Sequence, residues 1–432
     1  MNPFDVAAIL ITIAAVAGYV NHRILRLPAT SGTLVVALLS SFVVVATEAI
    51  VPGLRGGLAT LLGEIDFNQT LMHGMLCFLL FAGALHVDLA GLIDNKWTIG
   101  TLSTIGVLLS TAVIGVLSWW TFALIGADVP FVVCLIFGSI ISPTDPVAVM
   151  GLLKELKAPA GLEAQIAGES LFNDGVSVVV FFALVSVAGL SGLDTSHESV
   201  THATDLLIFF VREVGGGVAL GLGLGYVGYR ALLSIDDHPL ELLITLALAM
   251  FLYAVSFWIG VSGPIAVVVA GLLIGNHGRK FAMSERTRGH VEGFWGMTDE
   301  ILNAVLFLLI GLEFLAVPEP SSVIVAGLLT VPIALSARLV SVAIPVAAMS
   351  VGSRFERGIV PVLTWSGLRG GISVAMVLSL PRFPARDLLL ACTYAVVVFS
   401  ILVQGLTVRR VLVHYGIGTG PAGRESRERT PA

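Results

Sequence analysis

Residues 130–152 read PFVVCLIFGSIISPTDPVAVMGL. The run is apolar and long enough to cross a bilayer, which takes about 20 residues. Its middle, however, holds Asp145 between Pro143 and Pro146. Proline lacks an N–H and clashes with the carbonyl four residues back, so a helix here is interrupted. Carbonyls from Ile140 to Ser142 then lose their helical partners. A carboxylate at bilayer depth is costly without a purpose, and interrupted spans are where transporters place their ion sites. The stretch predicts a membrane span broken around an acid.

The rest of the chain agrees. Only 12% of its 432 residues are charged and 56% are hydrophobic, with a mean hydropathy of +0.97. A soluble chain of this length could not cover its surface with so few charges. The fold class is therefore an all-α polytopic membrane protein. Thirteen apolar runs are legible, at about 5–22, 33–51, 69–88, 97–125, 130–152, 161–190, 204–233, 239–260, 263–277, 290–316, 321–350, 357–380 and 386–411. The ninth is short. The N-terminus, MNPFDVAAIL, lacks the basic region of a cleaved signal peptide, so Val6–Val20 reads as the first span. Residues 1–413 form a single transmembrane unit, and the polar tail 414–432 is expected to be disordered and cytoplasmic. Only the connections 52–68, 191–203 and 278–290 could carry a small surface helix.

Orientation follows from the basic residues. With the N-terminus outside, seventeen of the 23 Lys and Arg residues fall in cytoplasmic segments. Arg55, Arg382 and Arg386 fall outside, and Arg212, Arg338 and Arg369 lie within spans. The C-terminus is then cytoplasmic. An odd count of spans also fits two six-helix units of opposite topology, spans 1–6 and 8–13, joined by span 7. Span 12, with Ser366-Gly367-Leu368-Arg369-Gly370-Gly371, is interrupted at the place matching Pro143 and Pro146 in span 5.

Other function classes fall away. A net charge of −6 offers no basic stripe for nucleic acid, so no nucleic-acid partner is expected. Cys77, Cys134 and Cys392 are isolated in apolar runs and read as packing residues. A membrane-embedded enzyme would need a nucleophile or metal set, which the dispersed histidines and single cysteines do not supply, and no cofactor is implied. A cation channel would need a repeated filter ring, and none is visible.

The chemistry concentrates in spans 5 and 6. Freed carbonyls, the Thr144 hydroxyl and the Asp145 carboxylate make a hard oxygen environment suited to Na⁺, Li⁺ or K⁺. Span 6 carries Gly168-Glu169-Ser170-Leu171-Phe172-Asn173-Asp174-Gly175. Ser170, Asn173 and Asp174 stand at i, i+3 and i+4 and share one helix face. An unpaired carboxylate there holds a proton until a cation neutralises it, because desolvation penalises the bare anion. Competition between proton and cation at Asp174 is the minimum chemistry of cation/proton exchange. A lone intramembrane aspartate can instead cap a broken helix or bond a neighbouring hydroxyl, but two carboxylates with Thr, Ser and Asn in consecutive spans favour an ion site. Glu169 is offset from Asp174 by about 140° around the helix, and Arg338 or Arg369 could pair with it.

Weaker signals surround these. Gly223-x-Gly225-x-x-Gly228 mimics a dinucleotide fingerprint without the preceding strand. Gly217, Gly221 and Gly225 form a small-xxx-small pattern for close helix packing. Glu241, Glu300 and Glu313 could line an ion path. His73 and His86 could sense pH, though an ordinary hydrogen-bonded histidine is the simpler reading. Asp88, at a span end, is expected to snorkel to the interface.

Ser142-Pro143-Thr144-Asp145-Pro146-Val147-Ala148-Val149, followed by the Gly168–Gly175 motif, resembles the sodium/proton exchanger family of the monovalent cation/proton antiporters, in its bacterial NhaP-like branch. Ala337-Arg338 and Gly367-Leu368-Arg369-Gly370-Gly371 are also similar to motifs of that family, and the order holds from about residue 5 to 411. The resemblance implies a homodimer, and the compact form with a short tail makes a prokaryotic plasma membrane the expected location. It implies a mobile core domain from about 97–190 and 321–411, and a dimerisation domain from about 5–88 and 204–316. The two broken helices would cross beside the ion site. Thr144, Asp145, Ser170, Asn173 and Asp174 would surround the cation, with Na⁺ (or Li⁺ or K⁺) held at Thr144, Asp145, Ser170 and Asp174. Glu169 would pair with Arg338, and Arg369 would sit at the second crossing. Asn173, where electrogenic relatives carry a second aspartate, implies electroneutral exchange.

Overall fold

The computed structural model describes residues 3–47, 75–190, 203–278, 281–313, 321–350 and 358–417. The expected connection 52–68, all of 191–203 but Ala203, His73, the side chain of Glu313 and the tail from residue 418 lie outside the described residues. Within them the chain is helical, and helix falls on each of the thirteen expected runs. In chain order these are α1 (Pro3–Val20), α2 (Ala29–Thr47), α3 (Leu76–His86), α4 (Leu89–Asp94), α5 (Lys96–Leu124), α6 (Phe131–Ile141), α7 (Val147–Glu155) and α8 (Ala160–Val187). Then follow α9 (Ala203–Leu232), α10 (His238–Ile259), α11 (Gly263–Gly278), α12 (Glu285–Glu313), α13 (Ser321–Met349), α14 (Ile359–Ser366), α15 (Gly371–Ser379) and α16 (Arg386–His414). Eight of the described helices are long and apolar enough to cross a membrane on their own.

Local sequence explains the ends. The Asp237 side chain accepts the Leu240 N–H at 3.2 Å, Pro239 occupies the first turn, and Gly260 closes α10 in the left-handed region at φ 66°. The first two features satisfy or remove orphan donors at the helix start, and glycine alone adopts the final conformation without strain. Side-chain distribution is that of a protein solvated by lipid. Leu124 and Trp258 are 87% and 77% exposed, whereas Glu169, Asn173, Arg338 and Arg369 are buried.

One expectation needs correction. The connection after span 3 carries the short helix α4, which apolar length could not reveal because it holds only six residues. Asp88 is exposed at its span end, and there it also caps α4, accepting the Ala90 and Gly91 N–H groups at 3.3 and 3.2 Å. Short π-helical turns at Asn21–Leu25, Leu102–Gly106, Ile274–Gly278 and Ser400–Gln404 also went unforeseen, since a one-residue insertion leaves no hydropathy signature.

The glycine stripe of α9 packs as expected. A Cβ at Gly217 would lie 2.8 Å from the Ser262 carbonyl, and one at Gly221 would meet the Ala266 carbonyl of α11. Close approach also seats the broken span: at Gly138 in α6 a side chain would run into the Thr111 backbone of α5, with the Cβ 3.0 Å from Thr111 Cα. Cys77, Cys134 and Cys392 are buried and form no disulfide among the described residues.

Candidate functional site: two broken helices and a cavity

Both interruptions read from sequence are present. The first parts α6 from α7 at 142–146, and the second parts α14 from α15 at 367–370. They meet. The Asp145 N–H donates to the Leu368 carbonyl at 2.8 Å, forming an isolated antiparallel bridge between the two breaks. The closeness requires Gly370, where a Cβ would lie 2.6 Å from Asp145 Cβ.

The freed carbonyls have a different fate from the one expected. Arg369 donates through one guanidinium nitrogen to the Ser142 carbonyl at 2.6 Å and the Pro143 carbonyl at 2.9 Å. These oxygens are therefore occupied by a fixed cation of the second break, which sequence alone could not pair with them. The Arg369 N–H is itself held by Ser400 Oγ at 2.8 Å, and the Ser400 hydroxyl donates to Gln404 Oε1 at 2.8 Å. The π-helical turn in α16 thus braces the second break.

Thr144 is tied on every polar group. Its N–H donates to Asn173 Oδ1 at 3.3 Å, its hydroxyl accepts from Asn173 Nδ2 at 2.8 Å, and its carbonyl accepts from the Ser170 hydroxyl. Ser170 and Asn173 lie on the face of α8 expected from their spacing. Asp145 Oδ1 accepts the Val147 N–H at 2.9 Å, so one aspartate does cap a half-helix. Asp174 differs: among the described residues it has no hydrogen-bond or ion-pair partner. It is 8% exposed and feels the charge of Asp145.

Glu169 turns away from this cluster. Its carboxylate forms a two-pronged ion pair with Arg338, with Nη1 on Oε1 and Nη2 on Oε2 at 3.0 Å. Arg338 Nη2 also reaches the Leu363 carbonyl at 3.0 Å. One guanidinium thereby ties α13 to α8 and α14. Of the two arginines open as partners in sequence, Arg338 takes Glu169 and Arg369 takes the backbone.

A cavity of about 720 Å³ reaches this cluster. Thr144, Asp145, Ser170 and Asp174 line one wall; α3 and the Gly296, Asp299, Asn303 and Leu306 face of α12 line the other. Its rim carries Asp88, Asp94, Glu163 and Lys154. Glu300 also lines it, whereas Glu241 is absent from the lining and is fully buried in α10. His86 lines it too, its Nδ1 donating to the Ala82 carbonyl at 2.7 Å. Asp299 escaped the sequence reading. The signal was available, since Asp299 and Asn303 stand at i and i+4 in an apolar helix.

A model of sodium/hydrogen exchanger transmembrane regions matches residues 11–414. The chain belongs to the sodium/hydrogen exchanger family. A member from Pseudomonas aeruginosa, named Na(+)/H(+) antiporter NhaP, is 45% identical over 409 residues, covering 94% of this chain and 95% of that protein. The Na(+)/H(+) antiporter NhaH of Halobacillus dabanensis is 33% identical over 354 residues, covering 81% of this family member and 84% of the relative. The solved structure of the sodium proton antiporter MjNhaP1 from Methanocaldococcus jannaschii superposes with a TM-score of 0.73 at 17% identity, covering 96% of this chain and 99% of that one. That likeness shows that the fold is shared.

Proposed function

We propose that the protein is a secondary antiporter exchanging a monovalent cation, Na⁺ first and Li⁺ or K⁺ as alternatives, for H⁺ by alternating access. One observation carries the reading: Asp174, a carboxylate without a partner among the described residues, stands beside two crossing helix breaks and lines a cavity open to one end of the molecule. Family relatives named as Na⁺/H⁺ antiporters support it.

Asp174 is the exchanging group. Bare, it carries a charge that is costly to move through a low-dielectric barrier. Loaded with either a proton or a cation it is neutral, and the core crosses. A carrier that moves only when loaded couples the two gradients without further machinery. Asp145 and the Ser170 and Thr144 oxygens would complete the cation's shell, with Asn173 fixing Thr144. Electroneutral 1:1 exchange follows if Asp174 is the one group to trade its proton. Arg369 and the Glu169–Arg338 pair hold charge in place and take no part in exchange.

The wider topology belongs to the same proposal. Thirteen spans run as two inverted six-helix units, with the N-terminus outside and the C-terminus cytoplasmic in a prokaryotic plasma membrane. A core of about 97–190 and 321–411 moves against a dimerisation domain of about 5–88 and 204–316, and two copies form the homodimer.

The test uses proteoliposomes with an acid interior and a pH-sensitive dye. Addition of Na⁺, Li⁺, K⁺ or choline is followed with the membrane potential clamped and unclamped, for the native chain and Asp174→Asn. Cation-driven alkalinisation that survives clamping and vanishes in the variant is expected. Labelled Na⁺ moving without protons would replace exchange by a channel.

A further inference from the structure

The cavity has two walls of different origin, and only one belongs to the elements proposed to move. On the other, α12 presents Asp299 and, one turn on, Asn303. Asp299 lies within electrostatic reach of Asp145 and Glu300, and the Asn303 amide nitrogen has no hydrogen-bond partner among the described residues. Asn303 is 3% exposed. Ser373 of α15 also lines the cavity; it is 1% exposed, and its hydroxyl has no partner among the described residues.

The charges are one-sided. Asp145, Asp174 and Asp299 share the cavity, and among its described lining residues Lys154 at the rim is the one Lys or Arg. Among the described residues no arginine lines the cavity to offset the Asp299 charge, unlike Glu169, which is held by Arg338. A low-dielectric cleft lined by one sign of charge concentrates the opposite ion. The unpaired Ser373 oxygen adds an acceptor in the same space.

We infer that Asp299 is a cation-attracting residue of the static wall, setting cation affinity while the site faces the end of the molecule to which this cavity opens. The inference rests on the alternating-access reading, because only then does the α12 wall stay behind. When the core carries Asp174 across, Asp299 remains where it is, and the outward-facing site works without it. By the placement of basic residues, the cavity end is the cytoplasmic one. The effect of Asp299 is therefore sided, which a purely structural carboxylate would not produce.

Everted vesicles (cytoplasmic face out) and right-side-out vesicles from the same cells give the test, with Na⁺ titrated in each. Asp299→Asn is expected to raise half-saturating Na⁺ by about tenfold in everted vesicles, the lower end of electrostatic focusing. It should change that value less than about twofold in right-side-out vesicles, where focusing by Asp299 does not act. The everted shift should exceed any change in maximal rate, shrink at high choline chloride and be rescued by Asp299→Glu. An equal rise on both faces, no rise on either, or a lost maximal rate unrescued by Asp299→Glu would each overturn the inference. Asp174→Asn serves as the separate control. Persistent exchange in that variant would sink the antiport mechanism itself, whatever Asp299 does.

Discussion

Among the acids near the breaks, partnership separates scaffold from worker. Glu169 is neutralised by Arg338, and Asp145 spends one oxygen on the Val147 N–H, leaving Asp174 without a partner among the described residues. The first of these contacts is testable as stability. Glu169 and Arg338 are 2% and 7% exposed, so neither charge is hydrated once its partner is gone. Removing one member of a buried pair typically costs about 3–5 kcal/mol. Glu169→Gln and Arg338→Ala should each lower the thermal midpoint of the purified protein in detergent. Arg338→Lys should recover only part of the loss, since an ammonium cannot hold both carboxylate oxygens and the Leu363 carbonyl in one plane. A midpoint unchanged in Glu169→Gln would show that the pair contributes nothing to the fold.

At the scale of elements, the sequence marked where each span breaks but not how the breaks complete each other. Pro143 and Pro146 announce the first interruption through chemistry local to the chain, and Gly370 and Gly371 the second. The partner of a freed carbonyl is a matter of three dimensions. Nothing in the order of residues says that Arg369 reaches Ser142 and Pro143, or that Asp145 pairs with Leu368 across more than two hundred positions. Asp299 was hidden for the same reason: its meaning comes from the wall it faces. Ser170, Asn173 and Asp174, by contrast, were legible because helix periodicity alone puts them on one face. The crossing yields a second prediction. The backbone at Gly370, with φ −127° and ψ −156°, is open to any residue, so the cost of a side chain there is steric. Its Cβ would fall on the Asp145 carboxylate. Gly370→Ala should abolish Na⁺-driven proton movement in vesicles while the protein still elutes as a folded species on size exclusion. Gly151→Ala, whose Cβ meets nothing within 4 Å, should exchange normally. Equal activity of the two would mean that the contact between the breaks is not needed for transport.

For the whole molecule, the decisive property is which side the cavity opens to. Its rim holds Asp94, Lys154 and Glu163, at the ends of α4, α7 and the start of α8. In the orientation proposed from the basic residues, those ends face the cytoplasm and Arg382, an exposed residue between α15 and α16, faces outside. Under the proposed orientation, the conformation described would be open inward, with Asp174 reachable from the cytoplasm. Gly151 lines the cavity and has room for a side chain, which makes it a reporter that leaves the packing intact. The native thiols of Cys77, Cys134 and Cys392 are buried and should contribute little background. Gly151→Cys should react with a membrane-impermeant maleimide in everted vesicles and stay protected in intact cells, while Arg382→Cys should show the reverse. If both positions react from the same face, the charge-based orientation does not describe this chain. If the two swap sides, the cavity faces outward, and the cation affinity that Asp299 sets belongs to the external surface instead.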